Sequence, residues 1–503
     1  MSDNTETNAA KPDSGGEKDS SIKIGAKAFL LSAAIILALM IASGILTTIM
    51  PAGVYDRVVS EGRTLVVNGS YREIPRPAYP FWRWFTAPIE VLIFGPDNLT
   101  PIVLILFITM VGGSITVLEY AGIMEALINF LVTRFAKRKY LLIVTMIIFF
   151  MAVSAFIGMY EEMVPLIIFV IPVAISLGWD SLTGLGMSLL PLAFGFAAAV
   201  TNPFSIAVAQ KIAGLPLFSG AYLRLIFFFT IFCLTCFFVI RHAKKVEKNP
   251  ESSICFKEDE ILRKKMRLAE TANAGTAKKT ITKSHWRALI WFVSWIVAAM
   301  ILVVSTARMP VVSDLAFPFL TIMFLIGGVG GGFLAGLKAG ELFKSLGKGI
   351  LNILPGVVLV LMAYSVKHII TNGMIIDTIL YRTAELISRS PPMLAAFLVY
   401  AATLAMEFFI GSASAKAFLM MPILTPLADL VGITRQTTVL AFDFGDGFSN
   451  MFYPTNALLL IALSFTVVSY TKWMRWTWKL QLVILVITSV FLAVAVKIGF
   501  GPF

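Results

Sequence analysis

Residues 198–205, Ala-Ala-Val-Thr-Asn-Pro-Phe-Ser, interrupt a long apolar stretch, and residues 453–456, Tyr-Pro-Thr-Asn, interrupt a second one. Pro203 removes one helical hydrogen bond and disfavours helix at Asn202, so each Thr-Asn pair, Thr201-Asn202 and Thr455-Asn456, marks a broken helix. Gly178 precedes Thr201 by 23 residues (201 − 178), and Gly432 precedes Thr455 by 23 (455 − 432). Pro172 and Pro426 stand 254 apart (426 − 172), which is also the spacing of the two threonines. Polar, helix-breaking residues are costly in hydrocarbon unless they line a protein cavity. The same arrangement found twice points to an internal duplication with a solute or ion site between the halves.

Composition sets the class. The 503-residue chain is 58% hydrophobic and 14% charged, with a mean hydropathy of +0.85; soluble domains are nearer 45–50% apolar and about 25% charged. This is the composition of an all-α polytopic membrane protein embedded in a lipid bilayer. The net charge of +12 does not indicate a nucleic-acid partner, because the basic residues cluster between apolar spans. Three cysteines make no disulfide framework. Cys233 and Cys236 lie in an apolar span and read as packing residues; Cys255 lies in a basic loop. Residues 1–24 are polar and read as a disordered cytoplasmic tail, without the apolar core of a cleaved signal peptide.

Charge placement orients the spans. Apolar stretches fall near 28–50, 101–118, 140–157, 162–177, 182–212, 221–240, 286–307, 315–336, 349–367, 392–409, 417–431, 435–470 and 479–499. Four basic clusters separate them: Arg134 with Lys137, Arg138 and Lys139; the segment from Arg241 to Arg287, including Lys244, Lys245, Arg263, Lys264, Lys265 and Arg267; Lys338, Lys344 and Lys348; and Lys472 with Arg475. All four fall in the cytoplasm only if 140–177 is a re-entrant hairpin rather than crossings. By the same logic 392–431 is a hairpin entering from the other face. The expectation is nine transmembrane helices, two re-entrant hairpins and two broken helices (182–212 and 435–470), with the N-terminus inside.

The first half then spans 25–240, a basic cytoplasmic linker 241–285, and the second half 286–503. An odd number of crossings separates corresponding spans, so the two repeats are inverted, as alternating access requires. Each unit holds a span, an interfacial helix (122–137; 373–389), a hairpin, a broken span and a closing span. Residues 51–100 lie outside, with β-like alternation in YDRVVSEGRTLVVNG and interfacial aromatics from Phe81 to Phe85.

The hairpin turns and the breaks carry the chemistry. The first turn, Ser154 to Glu162, places Glu161 and Glu162 at membrane depth, where an acid attracts a cation, binds a proton, or caps the second leg. The second turn, Glu407 to Lys416, offers Ser412 and Ser414 as substrate contacts, with close packing by small residues as the plain alternative. Lys416 is placed to pair with Glu407 or a nearby aspartate, or to meet a substrate carboxylate. Asp443 and Asp446 lie well inside the second broken span and are assigned to ion coupling. Thr201, Asn202, Thr455 and Asn456 are assigned to substrate, and freed carbonyls near Asn202 and Asn456 suit Na⁺. Na⁺ or H⁺ coupling is expected, and no other cofactor. There is no metal-ligand cluster, no nucleophile with a positioned base and no phosphate loop; His242, His285 and His368 are scattered, and the glycines of 327–332 read as helix packing. An enzyme or an ATP-driven pump is not indicated.

The runs GMYEEMVPLIIFVIPVAISLGWDSLTG, NPFSIAVAQKIAGLPLFSG and MPILTPLADLVGITRQTTVLAFDFGDGFSNMFYPT, with the early TTIMPAGVYDR, resemble the C4-dicarboxylate anaerobic carrier-like family of the ion transporter superfamily. The resemblance covers nearly the whole chain after the polar start and is closest to the branch named for basic amino acid antiport, related to arginine/ornithine exchangers. It implies inverted repeats with hairpins, elevator-type motion and, by analogy, a homodimer in the bacterial inner membrane. Tyr453-Pro454-Thr455-Asn456 departs from the Thr-Pro-Thr-Ser of many relatives. The expected activity is secondary active transport of a small carboxylate-bearing solute, an amino acid and a basic one by preference, because acids outnumber bases at membrane depth. A C4-dicarboxylate carrier is the alternative, and an uncoupled channel or sensor the third reading.

Overall fold

The computed structural model describes residues 26–60, 63–93, 99–264, 282–306 and 316–501. The polar tail 1–24 and the end of the basic linker, 265–281, lie outside the described residues. The chain is nearly all helical. Helices α1 (Ala26–Ile49), α2 (Arg83–Ile93), α3 (Leu99–Tyr120) and α4 (Ile123–Phe135) lead to α5 (Lys139–Ala152) and α6 (Ile167–Ser176). Next come α7 (Ser181–Gly186), α8 (Leu189–Ala198), α9 (Ile206–Ile212) and α10 (Ala221–Lys248). A short helix, α11 (256–264), follows. The second half holds α12 (Lys283–Thr306), α13 (Ala316–Leu334), α14 (Ala339–Asn372), α15 (Ile376–Ser388), α16 (Pro392–Glu407), α17 (Ala413–Val431), α18 (Arg435–Ser449), α19 (Ala457–Ser464) and α20 (Tyr470–Lys497).

Among the described residues eight helices are long and apolar enough to cross a membrane. Length and composition alone count the hairpin legs Lys139–Ile157 and Ala413–Val431 among the eight and leave out α12 and α13.

The order of elements repeats, and so does their packing. Helix α5 lies against α8 and α10, as α16 lies against α18 and α20; α4 packs on α6, as α15 packs on α17. The two units interlock: α8 packs on α18, α9 on α17, and the short helix at 161–166 on α19. Helices α1, α2, α3, α12, α13 and α14 pack among themselves beside this assembly, and α14 touches α19.

The glycines at equal spacing have a backbone reason. Gly178 and Gly432 end the second hairpin legs in the left-handed region, at φ +89° and +77°. The N–H of the next residue reaches back five positions, Trp179 to Ala174 O and Ile433 to Ala428 O, each at 3.0 Å. Asp180 and Thr434, two residues beyond each glycine, cap the following helices through Thr183 N and Thr437 N.

The first broken span is broken twice. Besides the expected interruption, α7 and α8 are separated at Met187-Ser188, where Pro191 supplies no N–H for the Met187 carbonyl. The segment between α1 and α2 forms small antiparallel pairs, β1 (Gly53–Val54) with β4 (Arg72–Glu73) and β2 (Arg57–Ser60) with β3 (Arg63–Val66). It is pinned to α15: Asp377 accepts from Tyr55 N and pairs with Arg57, both at 2.9 Å. Tyr71 stacks on Tyr381 with ring centroids 4.1 Å apart. Phe81, Trp82 and Phe85 are exposed beside it.

The basic linker is not a simple loop where it is described. Helix α10 continues into it to Lys248, and α11 docks on the start of the first broken span. There Asp259 accepts from Ser181 Oγ at 2.5 Å and from Ser181 N at 3.2 Å. Lys472, at the start of α20, meets Glu258 at 2.5 Å.

Candidate functional site

The break in the first span runs from Ala199, forced to φ +34°, to Ser205. Thr201 ties this break to the first hairpin: its N–H donates to Ala155 O at 3.2 Å and its hydroxyl to Phe156 O at 2.9 Å. Asn202 is fully buried, and its Oδ1 accepts from Phe204 N at 2.8 Å and Ser205 N at 3.3 Å. The second break repeats this. Asn456 Oδ1 accepts from Leu458 N and Leu459 N, both at 3.0 Å, and caps α19. Asn456 thus opens the second half of its broken helix, whereas Asn202 closes the turn 202–205 that precedes α9. With two N–H groups on each Oδ1, a Na⁺ ion near these residues would take its oxygens from the backbone.

The donor ends of the two amides differ. Asn456 Nδ2 reaches Asn450 Oδ1 at 2.7 Å and Glu407 Oε1 at 3.4 Å, which ties the second break to its hairpin. Asn202 Nδ2 is buried without an acceptor among the described residues, as is the Thr455 hydroxyl without a partner.

The charges gather around Lys416. This side chain has no exposure and forms ion pairs with Glu407 and, at 2.6 Å, with Asp446. Removing two such ions from water costs several kcal/mol each, and only close pairing offsets it. Glu161 lies near enough to Asp446 for repulsion between them, and it lines a narrow crevice with Leu104 and Phe107 of α3 and Leu458 and Ile461 of α19. Glu162 accepts from Tyr160 N at 3.2 Å; both glutamates are half-buried. Asp443 is 1% exposed, and no described donor stands in hydrogen-bonding geometry on either oxygen. Its charged neighbours are Arg224 and Asp446, with the Ser205 hydroxyl on the same side.

Geometry thus brings Glu161, Lys416, Asp446 and Asn456 to one place, with Asp443 one helical turn away. Ser412 is exposed and accepts from Ala415 N at 3.4 Å as the cap of α17, and Ser414 is half-buried.

Arg224 was missed by sequence reasoning, although an arginine inside the apolar stretch 221–240 was a visible signal. It is fully buried and donates to Ser219 O at 2.9 Å, Val200 O at 3.1 Å and Phe218 O at 3.3 Å. Asn450 was missed as well; its signal was a polar pair, Ser449-Asn450, at the end of a buried helix. At this site the buried or half-buried charges are five acids (Glu161, Glu162, Glu407, Asp443, Asp446) and two bases (Lys416, Arg224). Among the described residues no group of three or more His, Cys, Asp or Glu is arranged to hold a metal ion.

The family model described as C4-dicarboxylate anaerobic carrier, DcuC, matches residues 29–497. A protein of Escherichia coli (strain K12) named "Putative basic amino acid antiporter YfcC" is 30% identical over 472 residues, covering 88% of this chain and 91% of the relative. An uncharacterized protein of Haemophilus influenzae is 25% identical over 397 residues, covering 78% and 75%. Among solved structures, the Alcanivorax borkumensis YdaH transporter aligns with 94% of this chain and 99% of its own at TM-score 0.41 and 17% identity. Neisseria gonorrhoeae MtrF aligns with 93% and 95% at TM-score 0.40 and 16% identity. The match along nearly the whole chain settles the family: this is a membrane transporter belonging to the C4-dicarboxylate anaerobic carrier family.

Proposed function

We propose that the protein is a secondary active carrier of a basic amino acid, working by alternating access and exchange. The observation that carries this reading is the acid excess at the site, half-buried Glu161 and Glu162 with buried Glu407, Asp443 and Asp446 against buried Lys416 and Arg224. A cationic side chain finds partners there, and the buried Asn202 Nδ2, without an acceptor among the described residues, suits its α-carboxylate. In this reading the hairpins 140–177 and 392–431 are re-entrant and the repeats are inverted, with the N-terminus and the basic clusters in the cytoplasm of a bacterial inner membrane. The relative named for basic amino acid antiport supports the same solute class.

The second reading, a C4-dicarboxylate carrier, is favoured by the two buried cations and by the family description. It requires coupling cations to offset the acids.

Uptake of labelled lysine, ornithine, aspartate and succinate into proteoliposomes, with and without a Na⁺ gradient, separates the two. Lysine or ornithine uptake that is stimulated by the same amino acid on the far side is the expected result, and such trans-stimulation also excludes a channel. Saturable succinate transport with no response to amino acids overturns the proposal.

A further inference from the structure

We propose that Asp443 is a proton site of this carrier, a carboxylic acid that releases its proton when the Arg224 guanidinium moves onto it. This rests on the carrier reading above for its coupling role, and on geometry alone for the site.

Asp443 and Asp446 are one helical turn apart on α18 and meet opposite surroundings. Asp446 is ion-paired with Lys416 at 2.6 Å. Asp443 is equally buried, and the one donor beside it, the Ser205 hydroxyl, does not reach full hydrogen-bonding geometry on either oxygen. An ionised carboxylate left so costs several kcal/mol, and the group avoids that cost by keeping its proton. The charged groups facing it are Arg224 from α10 and Asp446 from its own helix, and Ser205 presents a hydroxyl from the first break. A hard metal cation takes about six oxygens. Asp443 and Ser205 supply three, and the positive charge of Arg224 opposes a second cation.

Arg224 is held back by carbonyls. Its Nη atoms are engaged by Ser219, Phe218 and Val200, while its Nε is buried with no acceptor among the described residues. Val200 immediately precedes the Thr201-Asn202 pair. A solute that draws the backbone at 200–202 toward itself takes an acceptor from Arg224, and the guanidinium then turns to Asp443. The O–H bond of the carboxyl breaks, the proton passes to water of the open site, and the carboxylate pairs with the guanidinium. One positive charge leaves as one cationic solute binds, so the step is an electroneutral exchange.

The test uses the full chain purified and reconstituted in lipid. Infrared spectra are taken about one pH unit above the titration of Asp259 near 7, so that this cytoplasmic aspartate is ionised. Unmutated protein labelled with [4-¹³C]aspartate is expected to shift the C=O stretch of a protonated carboxyl, and Asp443→Asn to remove that band while Asp446→Asn keeps it. Absence of any aspartate-derived protonated band in the unmutated protein overturns the proposal without recourse to a variant, as does an unchanged band in Asp443→Asn. In weakly buffered solution, added lysine is expected to release protons from the unmutated protein and at least tenfold fewer from Asp443→Asn. Equal release from both overturns the coupling role. A protein that neither transports nor responds to lysine, yet shows the aspartate band, retains the proton site and loses the basic amino acid reading.

Discussion

Lys416 of α17 lies 2.6 Å from Asp446 of α18, with side-chain exposures of 0% and 1%, and Glu407 of α16 pairs with the same ammonium from across the hairpin turn. One cation thus holds together both hairpin legs and the broken helix they face. Lys416→Met is expected to cost about 3–5 kcal/mol, because it leaves buried acids uncompensated. Thermal unfolding of the purified protein checks this. The double variant with Asp446→Asn should recover part of the loss, and a single variant as stable as the parent contradicts the pairing.

Asn202→Ala and Asn456→Ala are each expected to abolish uptake while leaving membrane insertion intact. For Asn456, loss of the helix cap alone accounts for about 0.5–2 kcal/mol of stability. Asn456→Asp keeps the acceptor for Leu458 N and Leu459 N but sets a carboxylate oxygen against Asn450 Oδ1 and Glu407, so it should restore neither stability nor transport. Uptake assays beside membrane-fraction blots are sufficient, and normal transport by both alanine variants would remove these residues from the site.

Gly447→Ala tests the contact between the two units. A Cβ at Gly447 would overlap the backbone and side chain of Ala197 on α8, neither of which is a flexible end. Overpacking of this kind costs about 1–3 kcal/mol. The expected result is a lower unfolding temperature together with reduced uptake. An unchanged unfolding temperature would mean that α8 and α18 are not in this contact.

The docked linker is expected to loosen as pH rises. Burial pushes Asp259 up to about 7 against the hydrogen bonds from Ser181, and the neighbouring Asp180 adds to the rise while Arg263 opposes it. Burial also raises Asp180, but His242, Thr183 and Ser253 outweigh it and hold this carboxyl near 2. For Asp259 the folded value exceeds the unfolded one, so its contribution is fully present below about 4 and is lost as pH rises through 7. Asp180 behaves oppositely and loses its contribution only as pH falls toward 2. Hydrogen-exchange protection of 256–264, corrected for intrinsic rates, should drop at least tenfold between about pH 5 and 8. Asp259→Asn should flatten that dependence; the same slope in this variant assigns it to another group.

Much of the architecture could be read without coordinates because it follows from local chemistry. Pro203 and Pro454 predict the breaks, the alternation near Val58 and Leu65 predicts the β pair, and Glu161 and Asp443 announce themselves as acids in apolar surroundings. What local reading lacked was partnership. Lys416 had several acids within plausible reach, and the ion pairs with both Glu407 and Asp446 follow from how α16, α17 and α18 pack. Packing also shows what the sequence left open at Ser412, whose oxygen accepts from Ala415 N at the start of α17.

By itself, then, the sequence determined the membrane class and the positions of the breaks, because hydropathy, proline and glycine act over a few residues. Only the tertiary structure decided which buried charges neutralise one another. Arg224 and Asp443 are more than two hundred residues apart in the chain, and their opposition exists only where α10, the first break and α18 meet. Electrostatic energy in a dry interior depends on separations of a few ångströms, and those separations are set by packing.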